Sequence, residues 1–142
     1  EIPLRRVGSE MCIRDSHAIE AFTSINSNNN PVSKMLSIEA LKLLGSSIKT
    51  AVFDGHNINA RSNMLLGSML AGKAFANSPV AAVHALAYPI GGLFNISHGL
   101  SNSLVLTSVM KFNSKNEETK KNYAYLSPYV FKNLDNSKKL MV

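Results

Sequence analysis

Tryptophan is absent from this chain of 142 residues, and cysteine occurs once. The lone Cys12 excludes an internal disulfide, as suits a reducing compartment. No apolar run reaches the ~18 to 20 residues that span a bilayer. No charged stretch followed by an apolar one opens the chain as a secretory leader would. The expectation is a cytoplasmic chain with no membrane segment. Strand-like alternation of useful length is missing, and so is any internal repeat, which removes sandwiches, barrels and solenoids. A glycine-rich nucleotide-binding loop is lacking too, because Gly91-Gly92 lies between helical stretches and not after a strand. Acidic residues are scarce: 9 Asp and Glu stand against 15 Lys and Arg.

The resulting charge of +6 and pI near 9.6 raise nucleic-acid binding as a function class. The excess is concentrated late, in Lys111, Lys115, Lys120, Lys121, Lys132, Lys138 and Lys139 against Glu117, Glu118 and Asp135. That distribution reads as a solvated face or tail. No zinc-finger spacing, RNP signature or helix-turn-helix accompanies it, so no nucleic-acid partner is expected.

What remains is helical periodicity. Ala18, Ile19, Ala21, Phe22 and Ile25 recur at helical spacing from His17 to Ile25. Pro31 suits the first turn of a second helix, whose expected buried stripe is Met35, Ile38, Leu41, Ile48 and Val52. Asp54-Gly55-His56-Asn57 reads as a turn with His56 exposed. A third helix, Asn59 to Asn77, is apolar on more than one face through Met64, Leu65, Leu66, Met69 and Leu70, which predicts a central place in a bundle. Lys73 on it needs an exit to water. A fourth helix is expected from Val80 to Tyr88, broken by Pro89-Ile90-Gly91-Gly92. A fifth runs from His98 to Phe112 and buries Leu100, Leu104, Val105 and Val109. A last amphipathic helix passes through Tyr123, Leu126 and Val130, with Glu117 and Glu118 near its start as the helix dipole prefers. The fold class is all-α.

The stretch that organises the chain is AVHALAYPIGGLFNISHGLSN, residues 82–102, which carries His84 and His98. Two neutral imidazoles brought from two helices into one cavity make a transition-metal site plausible on chemical grounds. Each histidine alone has a structural alternative: a hydrogen-bonded core residue at His84, a cap at His98, and a first-turn surface residue at His17.

These residues resemble the iron-type, group III metal-dependent alcohol dehydrogenases, whose motif reads roughly G-x-x-H-x-x-x-H-P-x-G-x-x-x-x-x-P-H-G-x-x-N-A. Here Ala81 to His84, Tyr88 to Gly91, Ser97 to Gly99 and Asn102-Ser103 occupy its places. Upstream, His17-Ala18-Ile19-Glu20-Ala21-Phe22-Thr23-Ser24 is similar to the family's D-A-x-x-H-A-I-E-A-Y-x-S, and Asn30-Pro31-Val32 begins its next helix. The likeness covers Ser16 to about Asn113 well and the tail weakly.

The resemblance implies part of the helical C-terminal domain of a dehydroquinate synthase-like fold, with the N-terminal dinucleotide-binding domain absent. It implies His17, His84 and His98 as metal ligands for Fe(2+) or Zn(2+), with NAD or NADP as the cofactor of a homo-oligomeric parent. The ion would act there as a Lewis acid on a small alcohol or aldehyde substrate. Tyr88 replaces a family histidine near the proton path. It is the candidate catalytic residue, although a phenol relays protons poorly around neutrality. A hydroxy-acid or maleylacetate-type reductase on the same fold is the alternative enzyme, and a non-catalytic helical binding or structural module the alternative class.

Residues 1–16 do not fit the rest of the chain. The family's aspartate ligand, four positions before His17, is Ile13 here, and Asp15 points from another side of a helix. Val7 to Ser16 matches, residue for residue, one frame of a transposon-end adapter used in sequencing libraries. The expectation is therefore that residues 1–16 are adapter-derived and that 17–142 is a partial helical metal-binding domain of an enzyme, inactive by itself.

Overall fold

The computed structural model describes residues 7–79 and 81–131, with side chains from residue 13 onward. Six helices follow one another: α1 (Val7–Thr23), α2 (Pro31–Phe53), α3 (Ile58–Asn77), α4 (Ala82–Phe94), α5 (His98–Asn113) and α6 (Glu117–Val130). No strand occurs among the described residues, and no helix among them is long and apolar enough to cross a membrane. The lysines at 132, 138 and 139 and Asp135 lie outside the described residues. Lys111, Lys115, Lys120 and Lys121 are all exposed.

The centre of the bundle is α1, not α3. Ser16 to Phe22 are buried without interruption, because α1 packs against α2, α3, α5 and α6. Helix α3 buries only the stripe Ala60, Met64, Gly67, Ala71 and Ala74, leaving Leu65, Leu66 and Met69 exposed. Its small residues let it approach α2 closely, and a Cβ at Gly67 would meet Leu44 Cγ at 2.8 Å. Lys73 reaches solvent. Ile25, expected inside the first helix, lies beyond its end and is fully exposed.

Helix α2 starts at Pro31, as the proline signals. Asn30 accepts from Val32 N and Ser33 N, while Ser33 Oγ accepts from Asn30 N, a reciprocal cap. Its buried stripe is Ser33, Ser37, Ala40, Leu41, Leu44, Ser47 and Ala51, and the expected Met35 and Val52 are exposed. The serines can be buried because each has a partner: Ser37 Oγ donates to Ser33 O at 2.9 Å, Ser33 Oγ donates to Asn30 O at 2.8 Å, and Ser47 Oγ accepts from Asn63 Nδ2 of α3 at 3.1 Å. A hydroxyl bonded to its own helix loses most of its desolvation penalty.

The largest departure concerns Pro89. Helix α4 begins at Ala82 and runs through Pro89 and both glycines to Phe94; Val80, the expected start, lies outside the described residues. Proline removes one N–H and leaves the carbonyl four residues back without its partner. That residue, Ala85, is exposed, so its carbonyl is not forced into a dry interior without a partner. The chain turns at Asn95, whose φ of 52 is left-handed, a conformation asparagine tolerates better than most residues. Gly91 serves packing: a Cβ there would press on Ser101 Oγ at 3.1 Å, so it lets α5 fold back onto α4. Within α5 Val109 is buried as expected, whereas Leu100 and Leu104 are exposed and Gly99, Ser101 and Asn102 are buried in their place. Small side chains suit the close α4–α5 contact, which bulky leucines would hold apart.

Candidate metal centre

Three helices deliver one histidine each to the same place. The His17 and His84 ring centroids are 4.3 Å apart, those of His84 and His98 5.3 Å, and Phe75 of α3 closes on His17 at 5.0 Å. His84 thus stands between the other two rings and is buried, as is His17. Tyr88, one turn along α4, stacks on His98 with centroids 5.1 Å apart and planes 23° apart. The residue is otherwise 64% exposed.

The nitrogens are arranged asymmetrically. His17 Nδ1 donates to Ile13 O at 2.8 Å, and His84 Nδ1 donates to Glu20 Oε2 at 2.5 Å. Each bond leaves Nε2 as the nitrogen with a lone pair, and His84 Nε2 is buried with no partner. Histidines that ligate metals commonly spend their other N–H on a carboxylate or backbone carbonyl in this way. Asn102 Nδ2 lies 3.2 Å from His98 Nε2 and donates to His98 O at 2.9 Å, so the third lone pair is engaged by an amide.

Burial disfavours protonation of two of the three rings, His17 and His98. Burial first, and then nearby His84, pull His17 down from 6.5 to about 4. Burial, His84 and Arg14 also lower His98. Imidazoles that resist protonation at neutral pH remain available as ligands. Among the described residues, however, no group of three His, Cys, Asp or Glu side chains stands ready to hold an ion as they lie. His17 and His84 fit in donor chemistry. His98 must exchange its Asn102 contact, and no carboxylate stands at position 13.

Asp15 does not make good that loss. It lines a cavity of about 400 Å³ between α1, α5 and α6, together with Ile19, Met110, Tyr123, Leu126 and Phe131, away from the histidines. Desolvation there raises its carboxyl from 3.8 to about 7.

Glu20 is the site residue that the motif leaves without a role. Its Oε1 accepts from Ala81 N at 3.2 Å and Val83 N at 2.8 Å, the first turn of α4, where Ala81 offers no side-chain cap. The available signal in the sequence was a single acid set among Ala18, Ile19, Ala21 and Phe22. Ser78 adds a second tie, with Oγ donating to Ala21 O at 2.9 Å. The α3–α4 connection is thereby fastened to the helix that carries His17.

The family described as "Fe-containing alcohol dehydrogenase family, C-terminal" matches residues 15–140. The chain belongs to that family. The long-chain-alcohol dehydrogenase 1 of Geobacillus thermodenitrificans is 47% identical over 97 residues, 68% of this chain and 24% of that protein. The 1,3-propanediol dehydrogenase of Citrobacter freundii is 40% identical over 98 residues, 69% of this chain and 25% of that protein. The chain thus spans about a quarter of the length of these relatives. Among solved structures, an archaeal halo-thermophilic Red Sea brine pool alcohol dehydrogenase superposes with a TM-score of 0.84 at 29% identity, over 91% of this chain and 32% of that one. The helical fold expected from the iron-type resemblance is the observed one, and the family match extends into the tail, where the motif likeness was weak.

Proposed function

We propose that the chain supplies the metal-holding helical part of an NAD(P)-dependent oxidoreductase that interconverts a small alcohol and its aldehyde or ketone. The observation that carries this reading is the meeting of imidazoles from α1, α4 and α5, two of them with Nδ1 committed to an oxygen and Nε2 free. His17, His84 and His98 would hold the ion. A bound divalent ion supplies Lewis-acid polarisation of the alcohol oxygen. Iron(II) is preferred over zinc because the family description names iron, although imidazole nitrogen suits either.

The chain's own residues set the conditions. Burial of His17 and His84 excludes water from the donor nitrogens, and the lowered affinity of His17 for protons keeps it a ligand in mildly acidic solution. Tyr88, stacked on His98 and otherwise exposed, is the proposed group for exchanging a proton with the substrate oxygen. The relatives' names favour alcohols over hydroxy acids or maleylacetate as the substrate class. Nicotinamide binding is assigned to another part of the parent enzyme, which is proposed to be cytoplasmic and homo-oligomeric.

Residues 1–16 are proposed to be adapter-derived. A family match that leaves out residues 1–14 is in keeping with this, as is a carboxylate desolvated in an apolar cavity at Asp15. One experiment addresses both proposals: reading the natural locus through the junction, expressing the whole reading frame with iron, and assaying alcohol-dependent reduction of NAD and NADP. The expected result is aspartate in place of Ile13 and activity abolished by His84→Ala. Finding VGSEMCIRD in the source genome would overturn the adapter reading. A metal-loaded parent inert toward small alcohols would overturn the enzymatic one.

A further inference from the structure

We propose that Glu20 is the positioning residue of the metal centre, resting on the metal reading above: its carboxylate fixes His84 as the Nδ1–H tautomer and leaves the Nε2 lone pair free for the ion. The geometry is a three-way junction. Oε1 takes the N–H groups of Ala81 and Val83, and Oε2 takes His84 Nδ1 at 2.5 Å, with Glu20 only 6% exposed. A carboxylate is suited to this place because it only accepts. One oxygen satisfies donors that a helix start otherwise leaves orphaned, in a position where negative charge is favoured by the helix dipole. The other dictates which imidazole nitrogen carries the proton.

The same geometry makes Glu20→Gln an informative variant. Two backbone N–H groups converge on Oε1, so the amide oxygen must occupy that place. The amide NH2 then faces His84 Nδ1 and donates to it. The ring has to accept at Nδ1 and carry its proton on Nε2, which removes the lone pair from the metal side while the cap on α4 survives. One proton relocation thereby separates a positioning role from a merely structural one. Loss of such a supporting partner costs metal affinity by about 10- to 100-fold in known sites.

The test combines long-range 1H–15N imidazole correlation spectra of the metal-free chain with cobalt(II) titration of the chain and its Glu20→Gln and His84→Ala variants. The expected result is an Nδ1–H tautomer at His84 in the parent chain, an Nε2–H tautomer in Glu20→Gln, and cobalt affinity reduced at least about tenfold in both variants. An Nε2–H tautomer at His84 in the parent chain would overturn the proposal without any variant, so a poorly folded Glu20→Gln does not protect it. Cobalt binding lost in His84→Ala but unchanged in Glu20→Gln would overturn the role of Glu20 and leave the metal reading intact. Cobalt binding that His84→Ala does not affect would overturn the metal reading, and the His84 tautomer would still decide whether Glu20 sets the ring.

Discussion

Replacing Asp15 by asparagine should convert a nearly pH-independent stability into a steep one. In the folded chain desolvation lifts this carboxyl from 3.8 to about 7, so between those values the folded state retains a proton that the unfolded chain has released. The stabilisation linked to that proton is complete below pH 3.8 and is lost as pH rises through about 7. At ~1.4 kcal/mol per pH unit, the gap of about three units corresponds to a loss on the order of 4 kcal/mol above neutrality. His17 has the opposite sign. Lowered by burial from 6.5 to about 4, it contributes stability that is complete above 6.5 and is lost as pH falls through about 4. Between those two values the slopes oppose one another and cancel. In Asp15→Asn the His17 slope stands alone, so stability should rise by roughly 3 kcal/mol across the window. Above pH 7 the variant should exceed the parent chain by on the order of 4 kcal/mol. Urea denaturation followed by far-ultraviolet circular dichroism at pH 4 to 8 reads this directly. With m near ~2 kcal/mol/M, the midpoints should differ by about 2 M at pH 8 and converge near pH 4. Parallel curves for the two chains would refute the burial argument for Asp15.

Placing a carboxylate at this position with Ile13→Asp should raise cobalt(II) affinity, because it adds an anionic donor one helical turn before His17; isothermal titration would show it. Gly45→Ala should destabilise more than Gly67→Ala in the same urea assay, since a methyl at Gly45 runs into the Tyr129 carbonyl oxygen of α6, whereas at Gly67 it meets the Leu44 side chain, which can rotate. The expected losses are about 3 kcal/mol and about 1 kcal/mol, within the range for overpacking. The purified chain should show no alcohol-dependent reduction of NAD or NADP by absorbance at 340 nm, even with iron, because the part proposed to bind nicotinamide and align hydride donor with acceptor lies elsewhere in the parent enzyme.

The helices are legible in the sequence where a local cause suffices. Asn30 and Pro31 announce the start of α2, and the turn at residues 54–57 follows from its composition. Which face each helix buries is not legible in the same way. In α2 the larger apolar side chains Met35 and Val52 point outward, while Ser33, Ser37 and Ser47 sit inside, because tight helix contacts select for volume and a small hydroxyl finds a partner, in its own backbone at Ser33 and Ser37 and in Asn63 at Ser47. Pro89 defies a local reading for a related reason. A proline costs a helix most where the abandoned carbonyl is buried, and burial is a tertiary property that the dipeptide does not carry.

The centre shows the same division more sharply. His17, His84 and His98 stand out because spacing along the chain is itself the motif, and the bundle brings the three rings together. Glu20 sits in the same motif, yet its partners are Ala81, Val83 and His84, more than sixty residues away. Nothing local could assign them, since an acid in an amphipathic helix is ordinarily on the wet face. The clue lay in a pair of deficits that had to be joined: a helix beginning at Ala82 without a capping side chain, and a carboxylate on the helix that every neighbour covers. A buried charge without partners would cost several kcal/mol, and an uncapped helix start leaves donors unmet. The fold resolves both by letting one carboxylate serve the helix end and the imidazole together. The orientation of His84 and the seating of α4 on α1 therefore depend on the same two oxygens.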